Sequence, residues 1–237
     1  MLVLAIDTSG KIGTVAIFDS KEGTLCEITV KVKKNHSDTI METIDSLFKF
    51  SEYTLDNVEL IAVTTGPGSF TGIRIGMATA KGIAIAKKIP IVGINTLEAL
   101  AYGVSNTDKT IISFIDAKKE RVYYGVFKYI NGKLQLIEEY SDSHIDNILD
   151  RYKYDKIIFT GDGAFAYKDK ITSIMGENGY FNNISSINLR GSCVAEAGMY
   201  KNIDNVYTLE PFYISKTQAE QNKVDKTINN DEGELKI

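Results

Sequence analysis

The sequence predicts an α/β protein built from two similar lobes, each with the element order β-β-β-α-β-α. The main observation is an internal repeat, because shifting the chain by 109 positions places Ile6-Asp7 on Ile115-Asp116 without a gap. The same shift aligns three further identical pairs, which are Phe18 with Phe127, Gly23 with Gly132, and Leu25 with Leu134. A repeat of this length indicates a duplicated lobe and not a short solenoid unit. The hydrophobic fraction of 43% in 237 residues is sufficient for an ordinary core.

Each element of the first lobe has a local signal. Apolar runs bounded by Gly, Pro or polar residues predict strands at residues 2–6, 13–18, 24–32, 60–64 and 91–94. An apolar stripe at helical spacing predicts a helix at 36–49, which Asn35 or Ser37 can cap. Further helices are predicted at 70–87, before Pro90, and at 96–101, where Thr96 is the expected cap. The stripe consists of Ile40, Met41, Ile44, Leu47 and Phe48.

The second lobe repeats the pattern. Strands are predicted at residues 110–115, 121–129, 133–139 and 156–160, with a tight turn at Asn131-Gly132 and another at Gly161-Asp162-Gly163. Helices are predicted at 145–152, 164–175 and 193–202. The domain boundaries that follow are an N-terminal lobe at 1–105, a C-terminal lobe at 106–217, and a polar, disordered tail at 218–237.

Composition excludes several classes of function. The net charge is −4, and no run of five basic residues occurs, so we expect this chain alone not to bind nucleic acid. Cys26 and Cys193 form no C-x-x-C motif, and neither His36 nor His144 has a second ligand at metal spacing. No apolar stretch approaches 18 residues, so no membrane span is expected. The expected location is the cytoplasm, with both thiols reduced and without a metal site.

Two lobes of this kind that share a cleft are typical of the actin-like and Hsp70-like ATPase (ASKHA) fold, in which Gly, Ser and Thr loops bind nucleotide phosphates. Asp7-Thr8-Ser9 suits the first such loop, because small residues let backbone N–H groups approach phosphate oxygens. The second loop, Asp116–Glu120, contains no glycine. Gly161 and Gly163 could form a turn beside the adenosine of a bound nucleotide, but a Gly-x-Gly pattern is a weak indication of such a site. The sequence therefore predicts a remnant nucleotide cleft, although Asp7-Thr8-Ser9 is equally compatible with a plain polar strand exit.

The most distinctive run is Gly66-Pro-Gly-Ser-Phe-Thr-Gly72, which lacks the Lys-Ser/Thr that completes a Walker phosphate loop. The spacing of Gly68, Gly72 and Gly76 instead indicates a small-residue helix face. Two interpretations stay open, namely packing against the chain's own sheet or close approach of a helix from another subunit. In the second interpretation, helices 36–49 and 70–87 pair with an equivalent pair as a four-helix contact. The candidate interface residues are His36, Ile40, Met41, Ile44, Gly68, Phe70, Gly72, Arg74, Gly76, Thr79 and Ala80.

Residues 1–220 resemble the bacterial TsaB (YeaZ) family. The most specific motif is Gly-Pro-Gly-Ser-Phe-Thr-Gly-Ile-Arg, at residues 66–74. Supporting matches are Leu4–Ser9, His36-Ser37, Ile115–Ala117 with Arg121–Tyr124, Gly161–Ala164, and Pro211–Tyr213 before Ala219-Glu220.

The resemblance implies an inactive paralogue of TsaD, the subunit that transfers a threonylcarbamoyl group to adenosine 37 of tRNA. Family members bind TsaD through the N-terminal lobe, form homodimers through the same helices, and work with TsaE, which supplies ATPase activity. The His-x-x-x-His metal motif of TsaD-like chains is absent here, because the residue four positions after His36 is Ile40 and not a second histidine. The family usually has Arg where this chain has Ser215. The neighbouring Lys216 could supply the positive charge, but it lacks the guanidinium group that makes two parallel hydrogen bonds to one anion.

The leading hypothesis is a noncatalytic scaffold for threonylcarbamoyladenosine formation. Such a scaffold needs no cofactor itself, because ATP and Mg²⁺ are bound by its partners, and it contacts tRNA only indirectly. The alternative is an ATP-dependent small-molecule kinase or ATPase of the same superfamily. That alternative requires Asp7 and Asp116 to act around Mg²⁺ and phosphates.

Overall fold

The computed structural model describes residues 1–31 and 35–214, which form two five-stranded sheets with helices on their faces. In the first lobe, the sheet order is β3-β2-β1-β4-β5, with β1, β2 and β3 antiparallel and β1, β4 and β5 parallel. Its elements are β1 Leu2–Asp7, β2 Ile12–Asp19, β3 Gly23–Lys31, α1 His36–Lys49, β4 Leu60–Gly66, α2 Phe70–Lys87, β5 Ile91–Asn95 and α3 Thr96–Tyr102.

The second sheet repeats this topology in the order β10-β9-β6-β7-β8, so the predicted two-lobed, duplicated fold is confirmed. The Asn131-Gly132 turn is also confirmed, because both residues have positive φ, 52° and 75°, as a two-residue hairpin turn requires. The elements are β6 Thr110–Lys118, β7 Arg121–Ile130, β8 Lys133–His144, α4 Ile145–Tyr152, β9 Ile157–Thr160, α5 Asp162–Ala166, α6 Lys168–Met175, β10 Gly179–Phe181 and α7 Gly191–Met199.

Both faces of the first sheet are buried. On one face, Leu4 and Ile17 pack with Ile44 and Leu47 of α1 and with Ile83 of α2. The residues that alternate with them on β1 and β2 point to the other face, since successive strand side chains point to opposite sides. There, Val3, Ala5 and Ala16 form a second cluster with Val194 and Ala195 of α7.

The two lobes are interlocked through their last helices. Helix α3 of the first half packs Leu97 and Ala101 against Ile111 and Phe127 of the second sheet. Helix α7 of the second half lies against the first sheet so closely that a Cβ on Gly198 would be 2.9 Å from the Ala62 Cβ. The predicted boundary near residue 105 lies between α3 and β6, yet residues 191–199 belong spatially to the first sheet.

Several predicted elements need correction. The helix predicted at 164–175 is two helices that break at Tyr167, whose hydroxyl donates to Asp116, and Gly163 lies inside α5 and not in a turn. Helix α7 begins and ends earlier than 193–202. Strands β6 and β8 continue to Lys118 and His144, beyond the apolar run that the pattern detects.

The predicted helix caps also differ in part. Asn95, and not Thr96, caps α3, since its side chain accepts a hydrogen bond from the Leu97 N–H at 2.9 Å. Asn35 occupies the cap position of α1 without a side-chain hydrogen bond. Val32, Ser215, Lys216 and the predicted disordered tail lie outside the described residues. Within the described part of the chain, no helix has the length and apolarity needed to cross a membrane.

Candidate functional site in the interlobe loops and on the outer helices

The first predicted nucleotide loop begins with a carboxyl group that the chain itself has enclosed. Asp7 ends β1 and is only 1% exposed. Its Oδ1 accepts hydrogen bonds from the Ser9 N–H at 2.9 Å and from the Thr64 hydroxyl at 2.6 Å. Burial raises the pKa of Asp7, and the hydrogen bonds from Ser9 and Thr64 only partly oppose this effect. The group therefore ties β1 to β4 and has little exposed oxygen left for a metal ion.

The Gly-rich run packs directly on this loop. The Thr8 hydroxyl donates to the Gly72 carbonyl at 2.6 Å, and the Ser69 N–H donates to the Ser9 carbonyl at 2.6 Å. A Cβ on Gly72 would lie 2.0 Å from the Thr8 carbonyl oxygen, and one on Gly76 would lie 2.3 Å from the Thr8 hydroxyl. The absence of a side chain is therefore required by the chain's own first loop.

This packing decides between the two interpretations of the glycine spacing. Gly72 and Gly76 are buried, and a Cβ on Gly68 would be 2.4 Å from the Ser9 carbonyl oxygen. The prediction that these three glycines face another subunit is corrected, because their bare sides face Thr8 and Ser9. The internal contact is with the loop after β1 and not with the sheet surface that the alternative named.

The second predicted loop is closed by its own charges. The Asp116 carboxylate pairs with the Lys118 ammonium group and accepts from the Lys118 N–H at 2.8 Å and the Tyr167 hydroxyl at 2.9 Å. Partial burial opposes ionisation of Asp116, but the hydrogen bonds from Lys118 and Tyr167 outweigh it and lower the pKa. Lys118, Lys119 and Glu120 all have left-handed φ values, between 53° and 69°. Three side chains thus stand where a phosphate loop needs bare backbone.

Gly161 and Gly163 are likewise explained by packing within the lobe. A Cβ on Gly161, whose φ is 91°, would lie 2.3 Å from the Phe114 carbonyl oxygen. A Cβ on Gly163 would lie about 3 Å from Phe114 and from the Asp116 nitrogen. Asp162, between them, accepts from the Asp116 N–H at 3.2 Å. Across the described residues, these loops do not fit a magnesium–nucleotide complex, because their polar groups already bond to each other.

The C-terminal lobe also contains a cluster of charged side chains around His144, which was not expected from the sequence. The His144 ring nitrogens lie 3.4 Å from Glu120 and 3.3 Å from Asp146, and the Lys170 ammonium group lies 3.0 Å and 2.8 Å from the same two carboxylates. The residue types would suit a metal ion. However, Lys170 already supplies the positive charge, so the arrangement is an ion-pair network that holds α4 and α6 beside the β6–β7 turn.

The predicted interface residues divide into inner and outer sets. Ile40, Ile44 and Ala80 are buried in the core of the lobe. His36 and Thr79 are half-buried, and the His36 Nε2 atom lies 2.8 Å from the Gly10 carbonyl oxygen. Met41 and Phe70 are 54% and 41% exposed, and Arg74 is exposed as well, so these three remain on the outer surface.

The outer surface of α2 contains small residues that the sequence reasoning did not select. Ala78 and Gly82 are exposed, and Ile85 beside them is 47% exposed. A Cβ on Gly82 would meet no atom within 4 Å, so nothing in the described chain requires a glycine there. Glycine inside a helix costs about 1 kcal/mol relative to alanine. A sequence pattern that could have identified these residues is the four-residue spacing of Ala78 and Gly82, which repeats the spacing of Gly72 and Gly76 on a different side of the helix.

Arg74 stands at one end of this outer surface in a defined setting. Its guanidinium carbon lies 3.8 Å from the centroid of the Phe70 ring, and its Nε–H donates to the Tyr213 hydroxyl at 3.1 Å. Phe70 and Tyr213 are stacked with ring centroids 5.3 Å apart. The prediction of Arg74 as an interface residue stays a prediction, and the structure adds that its side chain is positioned by two aromatic residues.

Sequence comparisons match the chain to proteins of tRNA threonylcarbamoyladenosine formation, and a solved structure shows the same fold. Residues 23–222 match the family model described as TsaD: tRNA N6-adenosine threonylcarbamoyltransferase. The tRNA threonylcarbamoyladenosine biosynthesis protein TsaB of Bacillus subtilis (strain 168) is 31% identical over 222 residues, covering 93% of this chain and 96% of that protein. The protein of the same name from Buchnera aphidicola subsp. Schizaphis graminum is 34% identical, covering 68% and 79%. The solved structure of YeaZ from Pseudomonas aeruginosa superimposes with a TM-score of 0.73 at 20% identity, covering 90% and 99%.

Proposed function

The chain belongs to the TsaB (YeaZ) family, within the wider TsaD family, and from that membership we propose that it is a noncatalytic activator subunit in threonylcarbamoyladenosine formation on tRNA. It acts by binding the catalytic TsaD-type subunit. The observation that carries this proposal is the outer surface of α1 and α2, where Ala78 and Gly82 leave the α2 backbone open to a neighbouring helix. We call Met41, Ala78, Gly82 and Ile85 the outer face.

The chemistry of the outer face supports docking of another protein. Met41 and Ile85 are apolar and about half exposed, and the two small residues Ala78 and Gly82 are one helical turn apart. Bare positions at this spacing let two helix backbones approach closely. A partner that fills the space above Gly82 would supply the packing that the isolated chain lacks.

The interlobe loops support the noncatalytic part of the proposal. Asp7 is buried and hydrogen-bonded to Thr64, while Asp116 is paired with Lys118. A kinase or ATPase of this fold would need both carboxylates near Mg²⁺ and open backbone near the phosphates. The alternative activity is therefore not favoured.

The remaining parts of the proposal concern partners and location. A TsaE-type ATPase joins the assembly, ATP and Mg²⁺ are bound by the partner subunits, and two copies of this chain associate through the outer face when the partner is absent. Contact with tRNA is indirect, which the net charge of −4 supports, because phosphate binding depends on clustered basic residues. The cytoplasm is the proposed location because the tRNA substrate is found there.

Reconstituted tRNA threonylcarbamoylation tests the proposal. Modified adenosine is measured with the TsaD-type and TsaE-type proteins, ATP and threonylcarbamoyl-adenylate, with this chain present, absent or replaced by a variant. The double variant Asp7→Asn, Asp116→Asn should support product formation, whereas Gly82→Leu should not, since a leucine would block close helix approach. Ala166→Leu, on the exposed side of α5, is the matched control. Product that forms equally well without the chain would refute the proposal.

A further inference from the structure

We propose that the C-terminal segment forms part of the partner-binding surface, because it holds the Arg74 guanidinium in position to bind a carboxylate of the partner subunit. This inference deepens the proposed function and rests on it. The segment in question, residues 203–214, is called the strap below. It follows α7 and returns across the first lobe.

The strap is attached along the edge and the end of the first sheet. The Asp204 N–H donates to the Ile91 carbonyl at 2.9 Å, and the Asp204 carboxylate accepts from the Gly93 N–H at 2.8 Å. Farther on, the Phe212 N–H donates to the Thr65 carbonyl at 2.8 Å, and the Phe212 ring meets the Tyr140 ring edge-on at 5.8 Å. The strap is therefore fixed to β5, to β4 and to the second lobe.

Two glycines of the first lobe provide the space that the strap occupies. A Cβ on Gly66 would lie 2.6 Å from the Phe212 carbonyl oxygen. A Cβ on Gly93 would lie 2.6 Å from the Thr65 side chain of β4 and 2.8 Å from the Leu209 side chain of the strap. The close fit at both positions indicates that the docked position of the strap is built into the fold.

The strap also lies along one side of α2, next to the outer face. The Lys81 ammonium group donates to the Leu209 carbonyl at 3.0 Å, and the Arg74 Nε–H donates to Tyr213. Positions 74 and 81 lie on one side of the helix, and positions 78 and 82 are rotated from that side toward the outer face. The strap therefore forms a border of the same surface that carries Ala78 and Gly82.

The setting of Arg74 defines the chemistry of its ligand. No carboxylate among residues 1–31 and 35–214 forms an ion pair with it, and Tyr213 engages only Nε. The guanidinium group has five N–H donors, so its outer nitrogens keep a fork that matches a carboxylate. Stacking on Phe70 pre-organises the fork and lowers the entropy lost on binding. Arg and Tyr are also the residue types that dominate binding energy at protein interfaces.

The surrounding charge favours a protein carboxylate over a nucleic acid. Asp38, Glu42 and Asp45 are exposed on α1, and Asp45 is paired with Lys49. Lys81 donates to the Leu209 carbonyl and Lys87 is paired with Asp56, so these cations of α2 do not form with Arg74 the kind of basic cluster that binds a polyanionic RNA backbone. The proposed occupant is therefore the TsaD-type subunit, with one acidic side chain opposite Arg74.

The test measures binding of the purified chain to the TsaD-type subunit by calorimetry at several salt concentrations. Arg74→Gln should raise Kd by about tenfold to a hundredfold and reduce the salt dependence of Kd, because a hydrogen-bonded charge pair is lost. Arg74→Lys should recover only part of the affinity, since it restores the charge without the fork. Tyr213→Phe should raise Kd by a few-fold, because it keeps the stacking but releases Nε.

Controls separate this inference from the proposed function. Lys168→Gln removes a cation that lies over Phe165 and Phe181 on the other lobe, and it should leave Kd unchanged. Gly82→Leu tests the outer face itself. If Gly82→Leu abolishes binding while Arg74→Gln binds normally, the role of Arg74 is refuted and the outer face is retained. If neither variant changes Kd, the proposed interface is refuted as well.

Two other results would also overturn the inference. Arg74→Gln could weaken only self-association, measured by sedimentation, which would make a second copy the occupant. Alternatively, it could abolish a direct complex with tRNA, measured with the isolated chain, which would assign the guanidinium to phosphate. Thermal unfolding of each variant checks that these exposed substitutions leave the chain folded.

Discussion

Alanine substitutions at two glycines of α2 should change stability in opposite directions. In Gly72→Ala, the new methyl group would lie 2.0 Å from the Thr8 carbonyl oxygen, and Cβ contacts below 3.0 Å are essentially never found. The helix must therefore move outward by about 1 Å, which weakens the 2.6 Å hydrogen bond from the Thr8 hydroxyl. In Gly82→Ala, the methyl group meets nothing within 4 Å.

The magnitudes follow from these contacts. Overpacking a close-packed site costs about 1–3 kcal/mol, and the weakened hydrogen bond adds about 1 kcal/mol. Replacing glycine by alanine in a helix returns about 1 kcal/mol. Gly72→Ala should therefore lower the free energy of unfolding by about 2 kcal/mol, which corresponds to a fall in Tm of about 4–8 °C for a chain of this size. Gly82→Ala should raise it by about 0.5–1 kcal/mol.

Urea unfolding followed by circular dichroism, together with thermal melts, measures both changes. Equal m-values in wild type and variants would show that the native and denatured states remain comparable. An unchanged or increased stability of Gly72→Ala would refute the assignment of that glycine to the Thr8 contact. A clear loss of stability in Gly82→Ala would refute the open position of the second glycine.

Three further predictions concern the loops and the thiols. Calorimetry with Mg-ATP should detect no micromolar binding, and a signal that disappears in Asp7→Asn would contradict the closed loops. Stability should also depend on pH with opposite signs at two carboxyl groups. Burial raises the pKa of Asp7, so its ionisation destabilises the fold as pH rises above about 4. The pKa of Asp116 is lowered by its bonds with Lys118, so the ionised group stabilises the fold above about 4, and this stabilisation is lost as pH falls. Urea midpoints across pH 2–8 should therefore lose the first dependence in Asp7→Asn and the second in Asp116→Asn, and unchanged profiles would count against both assignments. Finally, Cys193 is buried with a pKa raised to about 12, so iodoacetamide at pH 8 should modify the half-exposed Cys26 first and reach Cys193 only after unfolding. Equal labelling rates in the native protein would exclude that order.

The sequence predicted the fold well because the duplication and the strand pattern are local and repeated. The Asn131-Gly132 turn and the bounds of α1 and α2 followed from turn chemistry and helical periodicity. The exchange of α3 and α7 between lobes was not predictable, because no local pattern states which sheet a helix covers. The helix break at Tyr167 coincides with a hydroxyl contact to Asp116, which is distant in sequence.

The glycines of the predicted interface lie on the inner side of α2, whereas the surface that we propose for the partner lies on its outer side. Spacing shows that small residues share a helix face, and it does not show which way that face points. Six residues rotate a helix by about 240°, so Gly72 and Gly76 lie on a different side from Ala78 and Gly82. The bulky apolar residues of α2 contain the missing information. Ile73, Met77 and Ile83 mark the inner side, and comparing glycine positions with them would have separated the two pairs.

The two sides of α2 imply that stability and partner binding can be changed independently. Gly72 contacts Thr8, so its variants should lower stability, and the fraction that remains folded should bind the TsaD-type subunit with normal affinity. A Cβ on Gly82 meets nothing within 4 Å in the described chain, so Gly82→Leu should raise the unfolding midpoint slightly, as Gly82→Ala does, and lose binding. Parallel urea curves and calorimetric titrations of both variants measure this separation. If both variants lost stability and binding together, the helix would transmit the loop contact to the outer face, and that result would overturn the assignment of separate roles to its two sides.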